Sequence, residues 1–249
     1  MKNYLPDLPV FYTHYTDDSV VVLPEDESIH SVKVLRMRTG DELLLIDGKG
    51  NRCNARIIDP HPKHCNVEIF HRYEMEPELP YKLNIAISPV KNADRFEWFL
   101  EKVTEIGISR ITPLLCDRSE RKKINADRSE KILVSAMKQS HNAHLPILDT
   151  VTSFKEFIMS DNSDIKSIAH CVQGQKQTLA DIYIQGKSIS ILIGPEGDFS
   201  PEEIKIATEC GYIPVTLGNS RLRTETAGLV ACHSVQLICQ LSRTLSIGL

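Results

Sequence analysis

Long apolar runs are missing from this chain. None approaches the roughly 20 residues that a membrane-spanning helix needs. The opening stretch MKNYLPDLPVFYTHY lacks the basic region and apolar core of a signal peptide. A membrane or secreted location is therefore not expected, and a cytoplasmic one is. Cysteine is present but unpatterned: the seven, Cys53, Cys65, Cys116, Cys171, Cys210, Cys232 and Cys239, are odd in number, widely spaced and free of any C-x-x-C. That argues against a disulfide framework or a zinc knuckle and leaves reduced core thiols. His61, His64 and Cys65 in HPKHC read as a loop, and no metal is expected. A phosphate loop of the form G-x-x-x-x-G-K-[ST] is absent, as is a G-x-G-x-x-G opening a helix, so P-loop and ordinary dinucleotide sites are unsupported. Positive charge is not in excess either, since a net charge of −4 is not that of a generally basic nucleic-acid binder.

What is there is the composition of a folded protein. Hydrophobic residues make up 41% and charged residues 25% of 249, enough chain for one or two domains that each bury a core. Charge is spread unevenly, with nine Lys/Arg against fourteen Asp/Glu in residues 1–80 and 20 against 19 beyond, so local patches can still grip phosphate. The first 75 residues hold apolar or alternating runs at 10–14, 19–23, 42–46, 53–58 and 66–70, separated by turns such as Asp47-Gly48. Closely spaced strands without long helices predict a small β-barrel, interrupted at 29–41 by one or two helical turns. YEMEPELP at 73–80, with two prolines and three glutamates, is the linker candidate.

Beyond the linker the rhythm changes. Strands predicted at 83–88, 110–115, 167–172, 188–194 and 213–218 alternate with helices. The first helix carries Phe96, Phe99, Leu100, Val103 and Ile106, with Asp94 and Glu97 as a capping box and Gly107 as its stop. A second opens at Asp127, and a third at Ser200-Pro201-Glu202-Glu203, an N-cap with proline at the first helical position. Thr224, read as a cap, begins a last helix through Leu241. The alternation implies a parallel α/β sheet. The expected division is a β-barrel domain at 1–75 and an α/β domain at 80–249.

In an open parallel sheet, ligands bind beyond the carboxyl ends of the strands. Two such ends are unusual here: ILIGPEGDFSPEE (191–203) and TLGNSRLRTETAG (216–228). In the first, Gly194 and Gly197 flank a Pro195-stiffened bend before a capped helix. Glycines there let a ligand lie against bare backbone, which suits an adenine edge. An ordinary strand–turn–helix loop would look similar. The second places Arg221 and Arg223 at a strand end, an odd choice for stability alone.

Together, GPEGDFSPEE and LGNSRLRTETAG resemble the paired knot-loop signature of the SPOUT RNA methyltransferases. More narrowly they resemble the RsmE family, whose pattern is GPEGG-[FL]-[ST]-x-x-E followed by LG-x-x-[IV]-LR-[TA]-ETA. Other stretches agree in order: His30 with Val34, Leu35 and Arg36 as H-x-x-x-VLR, EKVTEIGISRITPL (101–114), Arg118-Ser119, and Gln139-Ser140 followed by Leu145-Pro146. Three positions depart from the pattern. Asp198 replaces the second glycine of GPEGG, Arg221 replaces an aliphatic residue, and His141, Asn142 and His144 follow Gln139-Ser140 where a basic residue is common. An acid at 198 is compatible with a helix start.

The resemblance implies a PUA-like β-barrel followed by an α/β domain with a deep C-terminal trefoil knot. It also implies a homodimer and S-adenosylmethionine-dependent methylation of uridine N3 in 16S ribosomal RNA of the small subunit. A ribose 2′-O enzyme of the same fold and a non-catalytic RNA-binding protein are the alternatives. Carried over, Gly194, Pro195, Glu196 and Gly197 form one cofactor wall, and Leu217, Gly218, Asn219, Ser220, Leu222 and Arg223 form the other. Methyl transfer rests on positioning, and uridine must lose its N3 proton. Arg223 is the candidate for stabilising the anion that forms, with Glu225 as proton acceptor or orienting partner. Phosphate contacts are expected from His30, Lys33, Arg36 and Arg38 in the barrel, and from Lys91, Arg95 and Arg118, with Gln139 nearby and Arg121, Lys122 and Lys123 adding charge.

Overall fold

The computed structural model describes residues 8–14, 16–74 and 79–247. Residues 75–78 of the predicted linker and residues 1–7 of the opening stretch lie outside the described residues. The chain divides into two compact units, residues 1–78 with 134–145, and residues 79–133 with 146–249.

In the first unit, β1 (Val10–Tyr12) and β2 (Val20–Val22) precede a helix α1 (Glu25–Ile29), which runs into a π-helical turn (His30–Val34). Strands β3 (Glu42–Ile46), β4 (Arg52–Asp59) and β5 (Asn66–Arg72) follow. The sheet order is β1-β3-β4-β5-β2, antiparallel except for β1 with β3. Period-two alternation sends Cys53, Ala55 and Ile57 of β4 inward. They join Phe11 of β1 and Val21 of β2 in one buried cluster, so both terminal strands of the sheet serve the same core. The helical stretch begins at Glu25, four residues before the position predicted. EDES carries no apolar period; what favours it is three acids in the first turn, at the positive end of the helix.

Residues 134–145 complete this unit. Lys138 Nζ sits 2.6 and 2.8 Å from the two carboxylate oxygens of the buried Glu27 and 5.5 Å from the centre of the Phe11 ring. Arg52 donates to the His141 carbonyl, and the Leu145 N–H donates to the Gly48 carbonyl at 2.9 Å.

The second unit is built on parallel strands. Its elements are β6 (Lys82–Ile87), α2 (Ala93–Ile106), β7 (Arg110–Leu115), α3 (Ala126–Gln139), β8 (Ile147–Leu148), β9 (Thr152–Ser153), α4 (Phe154–Ser160), β10 (Ile165–Ala169), β11 (Gln177–Thr178), α5 (Leu179–Ile182), β12 (Ser188–Ile193), α6 (Pro201–Glu209), β13 (Ile213–Thr216) and α7 (Thr224–Ile247). Helix α3 is shared, its last six residues belonging to the first unit. The sheet order is β11-β13-β10-β12-β6-β7-β8, with β9 also paired to β7, and every pair is parallel. The central strands β6 and β12 each end in an unbroken apolar run because both their faces are covered there: Ile85, Ala86, Ile87, Ile191 and Leu192 are fully buried.

Several local expectations change. Helix α2 is capped by Asn92, whose side chain accepts the Asp94 N–H at 2.9 Å, not by an Asp94–Glu97 box. Asn92 has the extended backbone that a cap needs, while Glu97 turns to Arg128 at 2.7 Å. Gly107 does end the helix, at φ 101°. Strand β10 stops at Ala169, so His170, Cys171 and Val172 are loop. The thiols are not all in the core: Cys171 and Cys210 are exposed, whereas burial pushes Cys232 up to about 12.

Candidate active site

The carboxyl ends of β6, β7, β10, β12 and β13 lie on one edge of the parallel sheet, and the predicted loops leave from β12 and β13. Gly194 follows β12 and is buried. A Cβ there would stand 3.0–3.1 Å from the Phe199 ring and backbone nitrogen, so only glycine fits without a shift. The bend Pro195–Asp198 is closed by the Asp198 N–H donating to the Pro195 carbonyl at 2.9 Å. Glu196 accepts the Lys91 N–H at 2.9 Å. Arg118 donates to the carbonyls of Gly197 at 2.8 Å and Phe199 at 3.3 Å. Helix α6 then starts as expected, with Ser200 and Glu203 in a reciprocal capping box and Pro201 first.

After β13, Leu217 and Leu222 are half-buried, and Asn219, Ser220, Arg221 and Arg223 are exposed. Gly218 sits at φ 122°, a conformation that glycine reaches at least cost, and the Thr216 hydroxyl bonds both its N–H and its carbonyl. Thr224 does not cap α7. The Ala227 N–H bonds the Arg223 carbonyl, which puts Arg223 at the cap position. The buried Thr224 hydroxyl instead donates to the Gly194 carbonyl at 3.0 Å and ties the start of α7 to the end of β12. Glu225 is buried beside it, with Arg95 Nε 3.8 Å from its carboxylate.

A third loop belongs to this edge, and no motif announces it. After β10, the Cys171 N–H donates to the Asp198 carboxylate at 2.8 Å, and Lys176 Nζ donates to the His170 carbonyl at 2.6 Å. His170 Nδ1 is buried with no hydrogen-bond partner among the described residues. Burial and the nearby Lys176 hold that imidazole below the usual histidine range, and Asp198 and the Val172 backbone offset part of the effect. The contact between Cys171 and Asp198 joins residues 27 apart in sequence, so no local pattern could have revealed it.

Family comparisons match this architecture. An RNA methyltransferase domain matches residues 77–236, and an RNA methyltransferase PUA domain matches residues 23–70. Ribosomal RNA small subunit methyltransferase E from Buchnera aphidicola subsp. Acyrthosiphon pisum is 33% identical over 221 residues, 85% of each chain. The chain belongs to the ribosomal RNA small subunit methyltransferase E family. A Porphyromonas gingivalis crystal structure described as a probable rRNA methyltransferase is 39% identical with a TM-score of 0.88, covering 94% of this chain and 100% of that one. The Neisseria gonorrhoeae methyltransferase E, solved bound to S-adenosyl methionine, is 29% identical with a TM-score of 0.84, covering 93% of this chain and 98% of its own.

Within this family member the expected RNA contacts fall into two kinds. In the first unit, His30, Lys33, Arg36 and Arg38 are all exposed on the π-helical turn and the residues after it, alongside exposed Val34 and Leu35. Arg36 adopts φ 57°, where glycine would be cheaper, and π turns concentrate at functional sites. In the second unit Lys91, Arg95, Arg118 and Arg121 have protein partners. Lys91 pairs with Glu120 at 2.9 Å, Arg95 faces Glu225, and Arg118 is committed to the Gly197 and Phe199 carbonyls. Arg118 therefore props the loop after β12 through one of its guanidinium nitrogens. Arg121 bonds the Lys123 carbonyl at 2.9 Å, and Lys122 and Lys123 are exposed; Gln139, in the part of α3 that belongs to the first unit, is exposed too. Among the described residues no group of three His, Cys, Asp or Glu side chains is arranged for a metal, and no helix is long and apolar enough to cross a membrane.

Proposed function

We propose that this chain methylates N3 of a uridine in 16S ribosomal RNA of the small subunit, with S-adenosylmethionine as donor, as a cytoplasmic homodimer. The observation that carries this reading is the Thr224–Gly194 hydrogen bond. It holds the GPEGD loop and the LGNSRLRTETAG segment against one another at the strand ends where a ligand belongs.

The residues fit the donor. Gly194 and Gly218 present backbone where a side chain would clash or strain, and His170 Nδ1 is a buried polar atom to which a ligand group can bond. Gly194, Pro195, Glu196 and Gly197 would line one side, and Leu217, Gly218, Asn219, Ser220, Leu222 and Arg223 the other. When bound, S-adenosylmethionine supplies a methyl carbon activated by its sulfonium, and S-adenosylhomocysteine leaves. The protein must align the uridine nitrogen and help it shed a proton, because the lone pair is not free in the neutral base. N3 lies between two carbonyls, so the exposed Arg223 guanidinium can stabilise the negative charge that spreads onto them. Glu225 is buried at the positive end of α7 and faces Arg95, which suits an orienting partner better than a solvent-facing base. The Arg36 region would grip RNA phosphate.

Return of the chain from β13, on the far side of β10, to α7, packed on β6 and β12, supports the trefoil knot that the family resemblance implies. Helix α7 buries Ala231, Cys232, Val235 and Cys239 but leaves Leu237 and Leu241 exposed, which supports a two-fold partner on that helix. The test is methylation of small-subunit particles followed by mass spectrometry of the nucleosides. 3-Methyluridine is the expected product. A 2′-O-methyl nucleoside, or no product despite cofactor binding, would overturn the assignment. A monomeric mass by light scattering at micromolar concentration would overturn the dimer.

A further inference from the structure

The loops after β10 and β12 meet at a residue where glycine would be the easier choice. Asp198 adopts φ 63°, in the left-handed region that disfavours an L side chain. Its side chain has a use there. One carboxylate oxygen accepts the Cys171 N–H at 2.8 Å and the other accepts the Phe199 N–H at 2.9 Å. Its own N–H closes the bend to the Pro195 carbonyl at 2.9 Å. A single residue thus satisfies backbone donors from two loops at the same edge of the sheet, and a glycine at 198 could make neither side-chain bond.

We propose that Asp198 is a positioning residue for the methyl donor, clamping the His170–Lys176 segment to the GPEGD bend so that the two form one preformed wall of the donor site. The proposal rests on the reading that the loops after β12 and β13 hold S-adenosylmethionine. Its physical basis is preorganisation. A segment already held in place costs the ligand nothing to order, whereas a loose one must be ordered at the expense of affinity. The segment begins with His170, so the same clamp fixes where its buried Nδ1 stands.

Asp198→Gly separates this role from a merely structural one, because it relieves the backbone while releasing the clamp. The melting temperature should hold or rise, and S-adenosylhomocysteine should bind about tenfold more weakly by calorimetry, as loss of a hydrogen bond to a charged acceptor implies. The exposed Cys171 thiol reports on the segment directly: iodoacetamide should label it faster in Asp198→Gly, while exposed Cys210 serves as the internal reference. Asp198→Asn keeps a side-chain oxygen for the Cys171 N–H and tolerates the left-handed backbone, so it should restore most of the affinity and the slow labelling. Wild-type binding matched by Asp198→Gly, with Cys171 labelling unchanged, would overturn the proposal alone. So would a loss of affinity that tracks a fall in melting temperature in both variants. A wild-type chain that fails to bind S-adenosylhomocysteine would overturn the functional reading and this proposal with it.

Discussion

Gly228 lies in the first turns of α7, where a helix would ordinarily prefer alanine by about 1 kcal/mol. Gly228→Ala should nevertheless destabilise the protein. An added Cβ would stand 2.6 Å from Phe99 Cε2, 2.9 Å from Ile87 Cδ1 and 3.1 Å from Phe99 Cδ2. Phe99 and Ile87 are both fully buried, so neither has room to give. Overpacking of this kind costs about 1–3 kcal/mol, and with two neighbours hit the upper half of that range applies. Against the propensity gain, the net loss is about 1–2 kcal/mol, a fall in melting temperature of about 2–8 °C for a chain of this size. Affinity for S-adenosylhomocysteine should fall as well, because displacing α7 moves Thr224 and Glu225. Adding Phe99→Leu removes the clashing ring atom, so the double variant should be more stable than the sum of the single changes by about 0.5–3 kcal/mol. A rise in melting temperature for Gly228→Ala, or strict additivity with Phe99→Leu, would refute this account of how the last helix seats on α2 and β6.

Other perturbations test the site. Thr224→Val keeps the shape but leaves the buried Gly194 carbonyl without its donor, which should cost about 1–3 kcal/mol in chemical denaturation; unchanged stability would show that the bond does not matter. Arg223→Ala should slow single-turnover methylation at saturating RNA and donor by about 10²–10³-fold. Arg36→Ala should leave that rate alone but weaken RNA binding and lower its logarithmic salt slope by about 0.9, one phosphate contact; exchanged phenotypes would sink this division of roles. Stability should also fall on acidification through His170. Its pKa is depressed in the folded protein, so as pH drops below about 6.5 the unfolded chain gains a proton there before the folded one does, and the loss is complete once the folded pKa is passed. His170→Gln should flatten the fall in denaturation free energy below about pH 6.5, and an unchanged pH slope would count against burial of the imidazole.

What could be read in the sequence followed the length of each signal. Strands β3 and β7 were legible to the residue, because apolar runs bounded by turn residues are strong signals. Helix α6 announced itself through Ser200, Pro201 and Glu203. Between residues 140 and 166 the sequence shows no helix or strand, and there the chain holds two-residue strands and the seven-residue α4, too short for any period to show. Thr224 looked like a cap because Ser and Thr usually are caps at such positions, yet tertiary structure turned its hydroxyl to a carbonyl 30 residues away. The glycine loops of the site were visible by composition. Their cross-links were not: Arg118 to Gly197 spans 79 residues and Lys91 to Glu196 spans 105.

Those cross-links bear on how the departure from the family pattern at 198 should be understood. Read locally, an aspartate before a helix is a small electrostatic convenience at the positive end of α6. In the fold its backbone is left-handed, which a lone electrostatic benefit at an exposed helix end, on the order of 0.3–1 kcal/mol, does not clearly offset. The two N–H groups that its carboxylate satisfies do offset it; because solvent reaches this position and water can take over both N–H groups when the side chain is removed, the bonds and the strain come close to balancing in the free protein. The same accounting applies to Arg36, also left-handed at φ 57° but exposed. Its side chain is one of four exposed basic groups on the π-helical turn and the residues after it, and a phosphate contact is the compensation that the RNA reading supplies. One strained residue is thus compensated inside the protein and the other by its partner, so Asp198→Gly and Arg36→Gly should part company. Both should keep or raise the melting temperature of the free protein, but the first should lose donor affinity and the second RNA affinity. If Arg36→Gly lowered the melting temperature without touching RNA binding, its strain would be compensated within the fold and the RNA reading of that turn would fall.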